Sequence, residues 1–311
     1  MNFNEFPINQ SIIRAFLHNG NEREYCYRRI YLTKIIRTVT EAPSDPMLYG
    51  KYFETKCLGR SSGYDVNDLP RKALTKKMIA ENAVRKKEKQ PLLKGEKYLD
   101  HIRVDDQILR FNALVKQHKI IVTDSNIQVP IVTVWDQDPD VLLKAELDIF
   151  PTTIILPDEE DGNVSKMWAA IIDLKLTADV NATYGEFCYG SPQFLDLIQA
   201  KMYHYVVRNI NKQLNPHLDG LITKTVQSLI DKNAIQFLLW IFNYKKDTLE
   251  DKFIRVSWDS TKEAELHESI RKTVSSLEKG EQEGWPTNPI FHLCKSCPWT
   301  TCPDKVKIQT I

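Results

Sequence analysis

Residues 171–176 read Ile171-Ile172-Asp173-Leu174-Lys175-Leu176, and the reading of this hexapeptide decides the fold. Apolar residues at both odd and even positions predict a strand buried on both faces, as in a sheet covered by helices on each side. Asp173 and Lys175 are two apart, so on a strand they point to the same face. A carboxylate and an amine in such a setting are costly unless they are paired or hold an ion. The triplet alone is weak, because about one Asp-x-Lys is expected by chance in a chain of this length. Glu54-Thr55-Lys56 shows the hazard: in a helical context, positions two apart do not share a face.

Working upstream, strand-like stretches at Ile127 to Trp135 and Val141 to Phe150 precede a third at Met167 to Leu176. An acidic turn, Pro157 to Asn163, separates the last two. The order predicts a meander. Asp148 lies at the end of the middle strand, where hairpin pairing would bring it beside Asp173. Two hard oxygen donors at that distance suit Mg²⁺. A metal-bound water there, oriented or deprotonated with help from Lys175, would be a nucleophile for a phosphodiester.

Working downstream, a helix over Pro192 to Arg208 puts Gln199 and Tyr203 at i and i+4 on one face. Both can hydrogen-bond a phosphate or a metal-bound water. A helix near Leu221 to Ile230, strands at Ala234 to Tyr244 and Phe253 to Trp258, and a charged helix at Ser260 to Lys279 follow. This order implies an α/β fold with a mixed central sheet flanked by helices.

The N-terminal part reads as helical, with Ile12, Ile13 and Phe16 on one helix and Tyr27, Ile30, Tyr31 and Lys34 along a second. A loop from Glu41 to Pro46 ends it, and Gly50 to Cys57 starts another helix. Arg71 to Lys97 is dense in cations, including Lys76, Lys77, Arg85, Lys86, Lys87 and Lys89. It reads as a helical insertion whose charge is either a solvated face or a phosphate-contacting surface. The expected organisation is one domain over 1–311, with N-terminal helices at 1–40, a basic helical insertion at 55–120, a catalytic core at 121–260 and a cysteine-bearing segment at 285–311.

The chain has 311 residues, 42% hydrophobic and 27% charged, which is the balance of a globular protein. A net charge of +1 argues neither for nor against nucleic acid. The longest apolar run, Ala234 to Phe242, contains Gln236, is too short to span a membrane and reads as a buried strand. Met1 to Phe16 lacks the pattern of a secretory signal. The expectation is therefore an intracellular, cytoplasmic protein without a membrane partner, whose six cysteines are thiols or metal ligands rather than disulfides.

Three of those cysteines, Cys294, Cys297 and Cys302, fall in Cys294-Lys295-Ser296-Cys297-Pro298-Trp299-Thr300-Thr301-Cys302-Pro303. A fourth ligand must come from elsewhere, and Cys26 is the best candidate. Thiolates suit both Zn²⁺ and iron–sulfur clusters, and His292 keeps a Cys₃His zinc site open. Cys57 and Cys188, with nothing at ligand spacing around them, read as buried or idle thiols.

Taken together, these residues resemble the RecB-type branch of the PD-(D/E)XK nucleases that hold an iron–sulfur cluster, a group that includes the CRISPR-associated exonucleases and the nuclease domain of AddB. The motif order is similar across nearly the whole length. A Ser-led helix and a lone cysteine precede an Arg-aromatic stretch (Ser11 to Leu32). A Gly-x3-His helix is represented by Gly50-Lys51-Tyr52-Phe53-Glu54, with Glu54 where many members have His. Asp148, Asp173, Lys175, Gln199, Tyr203 and the terminal cysteines follow.

The resemblance implies a restriction-endonuclease-like fold and a DNA nuclease that uses Mg²⁺ or Mn²⁺ held by Asp148, Asp173 and Glu54. Lys175, Gln199 and Tyr203 would complete the catalytic set. It also implies a structural [4Fe–4S] cluster on Cys26, Cys294, Cys297 and Cys302, and a DNA substrate that is single-stranded or has a free end. No helicase motif is present, so a helicase or other DNA-processing partner would supply unwinding. Two other readings stay open: a nuclease-fold binding or assembly protein that no longer cuts, and a zinc-stapled nucleic-acid-binding module.

Overall fold

The computed structural model describes residues 3, 5–18, 20–39, 43–59, 69, 71–157, 165–185, 187–246, 248–288, 290–299 and 301–303. The expected turn Pro157 to Asn163 lies outside the described residues beyond 157, as do residues 41–42 of the expected loop. So do parts of the segments 1–40, 55–120 and 285–311, and the side chain of His292.

The chain opens with α1 (Gln10–Phe16), whose first N–H groups are capped by the side chain of Asn9. A two-residue hairpin follows, β1 (Leu17–His18) and β2 (Asn21–Glu22), and then α2 (Tyr27–Ile30), continued by a π-helical turn to Ile35. Helix α3 (Asp45–Leu58) has Pro46 in its first turn and ends at Gly59, whose φ of 72° supplies the left-handed residue that closes a helix. Next come α4 (Lys76–Lys87) and α5 (Leu99–Gln117), then β3 (Ile127–Trp135), β4 (Asp138–Pro157) and β5 (Ser165–Thr177). The remaining elements are α6 (Ile198–Arg208), α7 (Lys224–Asp231), β6 (Ile235–Asn243), β7 (Asp251–Val256), α8 (Ser260–Gln282) and α9 (Phe291–Lys295).

Strands β3 to β7 form one sheet in sequence order. The first three make the expected antiparallel meander, β6 lies parallel to β5, and β7 closes the edge antiparallel to β6. The mixed sheet flanked by helices thus stands as read. Strand β6 is buried at every position because it is paired on both edges and covered on both faces. One face packs on α1, α6, α7 and α8 through Phe237, Leu239 and Ile241, and the other on α3 and α5 through Leu238, Trp240 and Phe242.

Three elements depart from the sequence expectation. The helix carrying Gln199 starts at Ile198, after a 3₁₀ turn over Pro192–Phe194, where the side chain of Asp196 accepts the Ile198 N–H at 3.0 Å and so forms a turn that leads into the helix. Within the basic segment, α4 buries no residue, whereas α5 buries His101, Val104, Gln107 and Phe111 and packs beside α3. Strand β4 runs well past Asp148, so that residue lies mid-strand and not at a strand end.

The two ends of the described chain are fastened to each other. Arg28 N–H donates to Pro286 O at 3.1 Å, Asn288 Nδ2 to Tyr25 O at 3.1 Å, and Arg29 Nη1 to Leu293 O at 3.1 Å. Tyr31 stacks on Trp285 at 4.9 Å. Helix α8 reaches this junction at Gly280, where an added Cβ would lie 2.7 Å from the Tyr27 ring and 2.8 Å from the Trp285 ring. Glycine in a helix ordinarily gains up to about 1 kcal/mol on replacement by alanine, but overpacking costs about 1–3 kcal/mol, so the clash wins here. Gly280→Ala is expected to lower the melting temperature, whereas Gly50→Ala, where nothing lies within 4 Å of the added carbon, is expected to raise it. Thermal unfolding followed by circular dichroism checks both signs.

Candidate active site

The register Ile149↔Ile172 places Asp148 opposite Asp173, and Asp148 Oδ2 accepts the Leu174 N–H across the strands at 2.8 Å. On the other edge of β4, Ile127↔Ile149 and Val129↔Leu147 leave Gln128 opposite Asp148. This rung is irregular. Ile127 and Ile149 pack in the core under α3 and α5, while Val129 and Leu147, two residues away on each strand, pack in the opposite core. Residues two apart should share a face, so both strands turn over at this point. Gln128 takes a φ of 47° to do so, an uncommon conformation for a residue with a side chain and one that recurs at functional sites. Asn126 pins the irregularity from the side: its Oδ1 accepts the Thr123 N–H at 2.7 Å, and its Nδ2 donates to Pro151 O at 3.2 Å.

Helices on both faces reach this rung. From α6, Gln199 Nε2 donates to Asp173 Oδ1 at 2.7 Å and to Tyr203 Oη at 3.1 Å, so the i and i+4 pair meets as the helix spacing predicted. From α3, Glu54 Oε1 accepts Gln128 Nε2 at 2.8 Å, and Lys51 Nζ lies 3.2 Å from Glu54 Oε2. Lys175 Nζ lies 2.5 Å from Asp173 Oδ2. The structure therefore gathers Asp148, Asp173, Lys175, Gln199 and Tyr203 on one spot, with Glu54 approaching from the other face.

The electrostatics are those of an over-negative enclosure. Burial, then the charge of Asp173, pushes the Asp148 carboxyl well above the usual carboxylate range. Burial also raises Asp173, against the pull of Lys175. For Lys175, burial works against the charge, but Asp173 and Asp148 overcome it and hold the ammonium above its ordinary range. The Tyr203 hydroxyl is pushed up by burial and by both aspartates, so it stays protonated. Asp148, Asp173 and Glu54 face two ammonium groups, Lys175 at Asp173 and Lys51 at Glu54, and Asp173 Oδ2 is buried and receives no well-directed hydrogen bond, a donor set that suits a hard divalent cation. Among the described residues, though, no group of three or more His, Cys, Asp or Glu side chains is arranged around one point as metal ligands.

Two clefts open onto the rung. One of about 650 Å³ runs between α3 and the end of β5, with Gly50, Lys51, Glu54, Lys175 and Lys245 among its walls. The other, of about 270 Å³, lies under α1 and α6 and is lined by Arg14, Lys175, Gln199 and Leu239. Lys175 faces both. Arg14 was not singled out from the sequence. It is placed by Asp196, whose Oδ2 lies 3.3 Å from Arg14 Nε, and its position on a short helix gave no signal of this role. Gln128 likewise had none, since its left-handed backbone is invisible in a strand pattern.

The cysteines occupy a different corner. Cys26 caps α2 and its Sγ accepts the Asn288 N–H at 3.4 Å. Cys294 is buried on α9, and its carbonyl accepts the Cys297 N–H at 3.3 Å. The metal-ligand arrangement missing from the acidic rung is missing here too, among the described residues. Cys57 and Cys188 are buried elsewhere, Cys57 in the core under α3 and Cys188 in the core on the α6 side.

The raised Asp148 fixes a sign. A carboxyl whose folded pKa lies above its unfolded value contributes stability below the unfolded pKa and loses it as pH rises through the folded one. Ionising Asp148 therefore costs the metal-free protein stability as pH rises. Asp148→Asn, which keeps an acceptor for the Leu174 N–H, is expected to melt several degrees above wild type in chelator at pH 8, with the gap closing toward pH 4. Calorimetry across that range checks it.

No family model matches the chain, and no curated protein matches it in sequence. Among solved structures, a protein of Eubacterium rectale named "Putative exonuclease" is similar at 14% identity, over 99% of this chain and 91% of that chain, with a TM-score of 0.52. The structure of SSO0001 aligns over 74% of this chain and 82% of that chain at 14% identity, with a TM-score of 0.29, too low to argue from. At such identity the first likeness speaks for the fold alone: this chain has the layered, mixed-sheet architecture of that protein along nearly its whole length.

Proposed function

We propose that the protein is a Mg²⁺- or Mn²⁺-dependent deoxyribonuclease of the RecB-like kind that hydrolyses phosphodiesters at a single-stranded end. The observation that carries this reading is Gln199 Nε2 bridging Asp173 and Tyr203 while Lys175 reaches the other oxygen of Asp173, at the meeting of two clefts lined by cations. The Eubacterium rectale neighbour, by its name, supports the same class of chemistry.

Asp148, Asp173 and Glu54 would hold the ion, which when bound supplies charge neutralisation at the phosphate and a more acidic water. Lys175, protonated between its carboxylates, stabilises the charge that develops on the phosphate oxygens. Gln199 is a positioning residue: by donating to Asp173 Oδ1 it fixes the plane of that carboxylate, and Tyr203 fixes Gln199 in turn. Arg14, on the wall of the smaller cleft, would steer the backbone of the strand toward Lys175.

At the chain-end junction, we infer a [4Fe–4S] cluster on Cys26, Cys294, Cys297 and Cys302. Three thiols close in sequence, with Cys26 hydrogen-bonded to the segment just before them, support it. The cluster would reinforce a closure that backbone hydrogen bonds already make.

Two experiments test these readings. Digestion of end-labelled linear and of circular single-stranded DNA with Mg²⁺ or Mn²⁺ is expected to degrade the linear strand. Asp173→Ala and Lys175→Ala are expected to lose at least about a hundredfold in rate while remaining folded. Near-wild-type cleavage by either variant would remove the assignment. For the cluster, protein purified without oxygen is expected to be brown and to contain iron and sulfide. Cys26→Ser is expected to lose both, whereas Cys188→Ser keeps them. Stoichiometric zinc in a colourless protein would replace the cluster with the zinc reading.

A further inference from the structure

The connection from Lys175 to Gln199 carries four aromatic side chains, and they divide sharply by exposure. Tyr189 is 4% exposed, while Phe187 is 55%, Phe194 64% and Tyr184 90% exposed. Single exposed aromatics are ordinary and need no explanation. Phe187 differs from the other two exposed rings because it lines both clefts that open onto the catalytic rung, as Lys175 does.

Phe187 is also held in place. Cys188, next to it, is 2% exposed and joins the core on the α6 side together with Tyr189. Tyr189 O accepts Lys252 Nζ at 2.8 Å, Cys188 O accepts the Ser191 N–H at 2.8 Å, and Ala182 O accepts the Gly190 N–H at 2.7 Å. The turn is so tight that a Cβ on Gly190 would lie 2.3 Å from Asn181 O. The ring of Phe187 stacks against Tyr189 at 6.2 Å and 28°. An exposed ring is thus seated on buried anchors, with its setting fixed before any ligand arrives.

The clefts on both sides of this ring carry cations, alongside Glu54 in the larger and Asp196 in the smaller. Lys51, Lys175 and Lys245 line the larger cleft and Arg14 and Lys175 the smaller. A fixed aromatic face among cations is what a strand of nucleotides with unstacked bases requires, one base on the ring and the flanking phosphates on the positive side chains. Bases inside a duplex offer no free face for such stacking.

We propose that Phe187, backed by Tyr189, is the stacking platform for an unpaired nucleobase and sets the register that brings the neighbouring phosphodiester to Lys175. The proposal rests on the nuclease reading above and adds to it the residue that selects single-stranded DNA.

The test uses fluorescence anisotropy with a labelled oligo(dT) strand and an abasic strand of equal length, in Ca²⁺, with strand integrity checked on a gel. Wild type is expected to bind oligo(dT) about tenfold more tightly than the abasic strand. Phe187→Ala loses that preference with little change on the abasic strand, Phe187→Trp keeps it, and Phe194→Ala, outside both clefts, also keeps it. Phe187→Leu, which preserves apolar bulk without a ring, is expected to match alanine and decides the matter if the alanine variant does not fold. Equal binding of the two strands by wild type, or a retained preference in Phe187→Leu, overturns the proposal. If wild type cleaves DNA but shows no base preference, the platform alone is lost. If it neither cleaves nor binds either strand, the nuclease reading fails and takes this proposal with it.

Discussion

Two buried carboxylates, on β4 and β5, and one ammonium on β5 share one rung of the sheet, and most of the surrounding architecture follows from the need to keep them there. An unpaired charge away from water is so unfavourable that the chain must pair it, hydrogen-bond it or neutralise it. The protein uses all three: Lys175 pairs Asp173, the Leu174 N–H and Gln199 hydrogen-bond the carboxylates, and raised carboxyl pKa values mark the charge left over. That residue of negative charge would favour a divalent cation, and ionising it without one costs stability.

Neighbouring elements supply the geometry. The turn-over of β3 and β4 at Gln128 and Asp148 lets a sheet that is otherwise dry on both faces present polar groups to both helical layers. Helix α6 delivers Gln199 from one side and α3 delivers Glu54 from the other, and the site sits where the layers part. A regular strand could not do this, since its side chains at Leu147 and Ile149 would be committed to the same face.

Much of this was legible in the sequence. The Asp-x-Lys strand, the meander before it, the largely apolar β6 and the Gln199–Tyr203 pair all announce themselves through spacing and hydrophobic pattern. What was hidden was hidden for identifiable reasons. Helix α5 packs on the sheet through a stripe that includes His101 and Gln107, the latter donating to Asn243 at 3.1 Å, so its buried face does not read as apolar. The true start of α6 follows a turn closed by the Asp196 side chain, inside a stretch that otherwise scans as helix. The irregular rung violates the alternation on which strand reading rests. Arg14 and Phe187 acquire meaning only from what lies beside them in space.

The fastening of Tyr25 to Arg29 onto residues 286–293 joins positions more than 250 apart in sequence. Contacts of such long range are slow to form and come after local ones. Helix α1, which bears Arg14, packs between α6 and α8, so its seat does not exist until α8 has been made. The carboxylate rung is built from β4, β5 and α6, which lie close together in the chain, whereas the wall that Arg14 contributes needs the distant α8 in place. Sequence separation thus divides the site in two: its acidic centre is closed by neighbouring strands, and the wall that bears Arg14 only by contacts that span most of the fold.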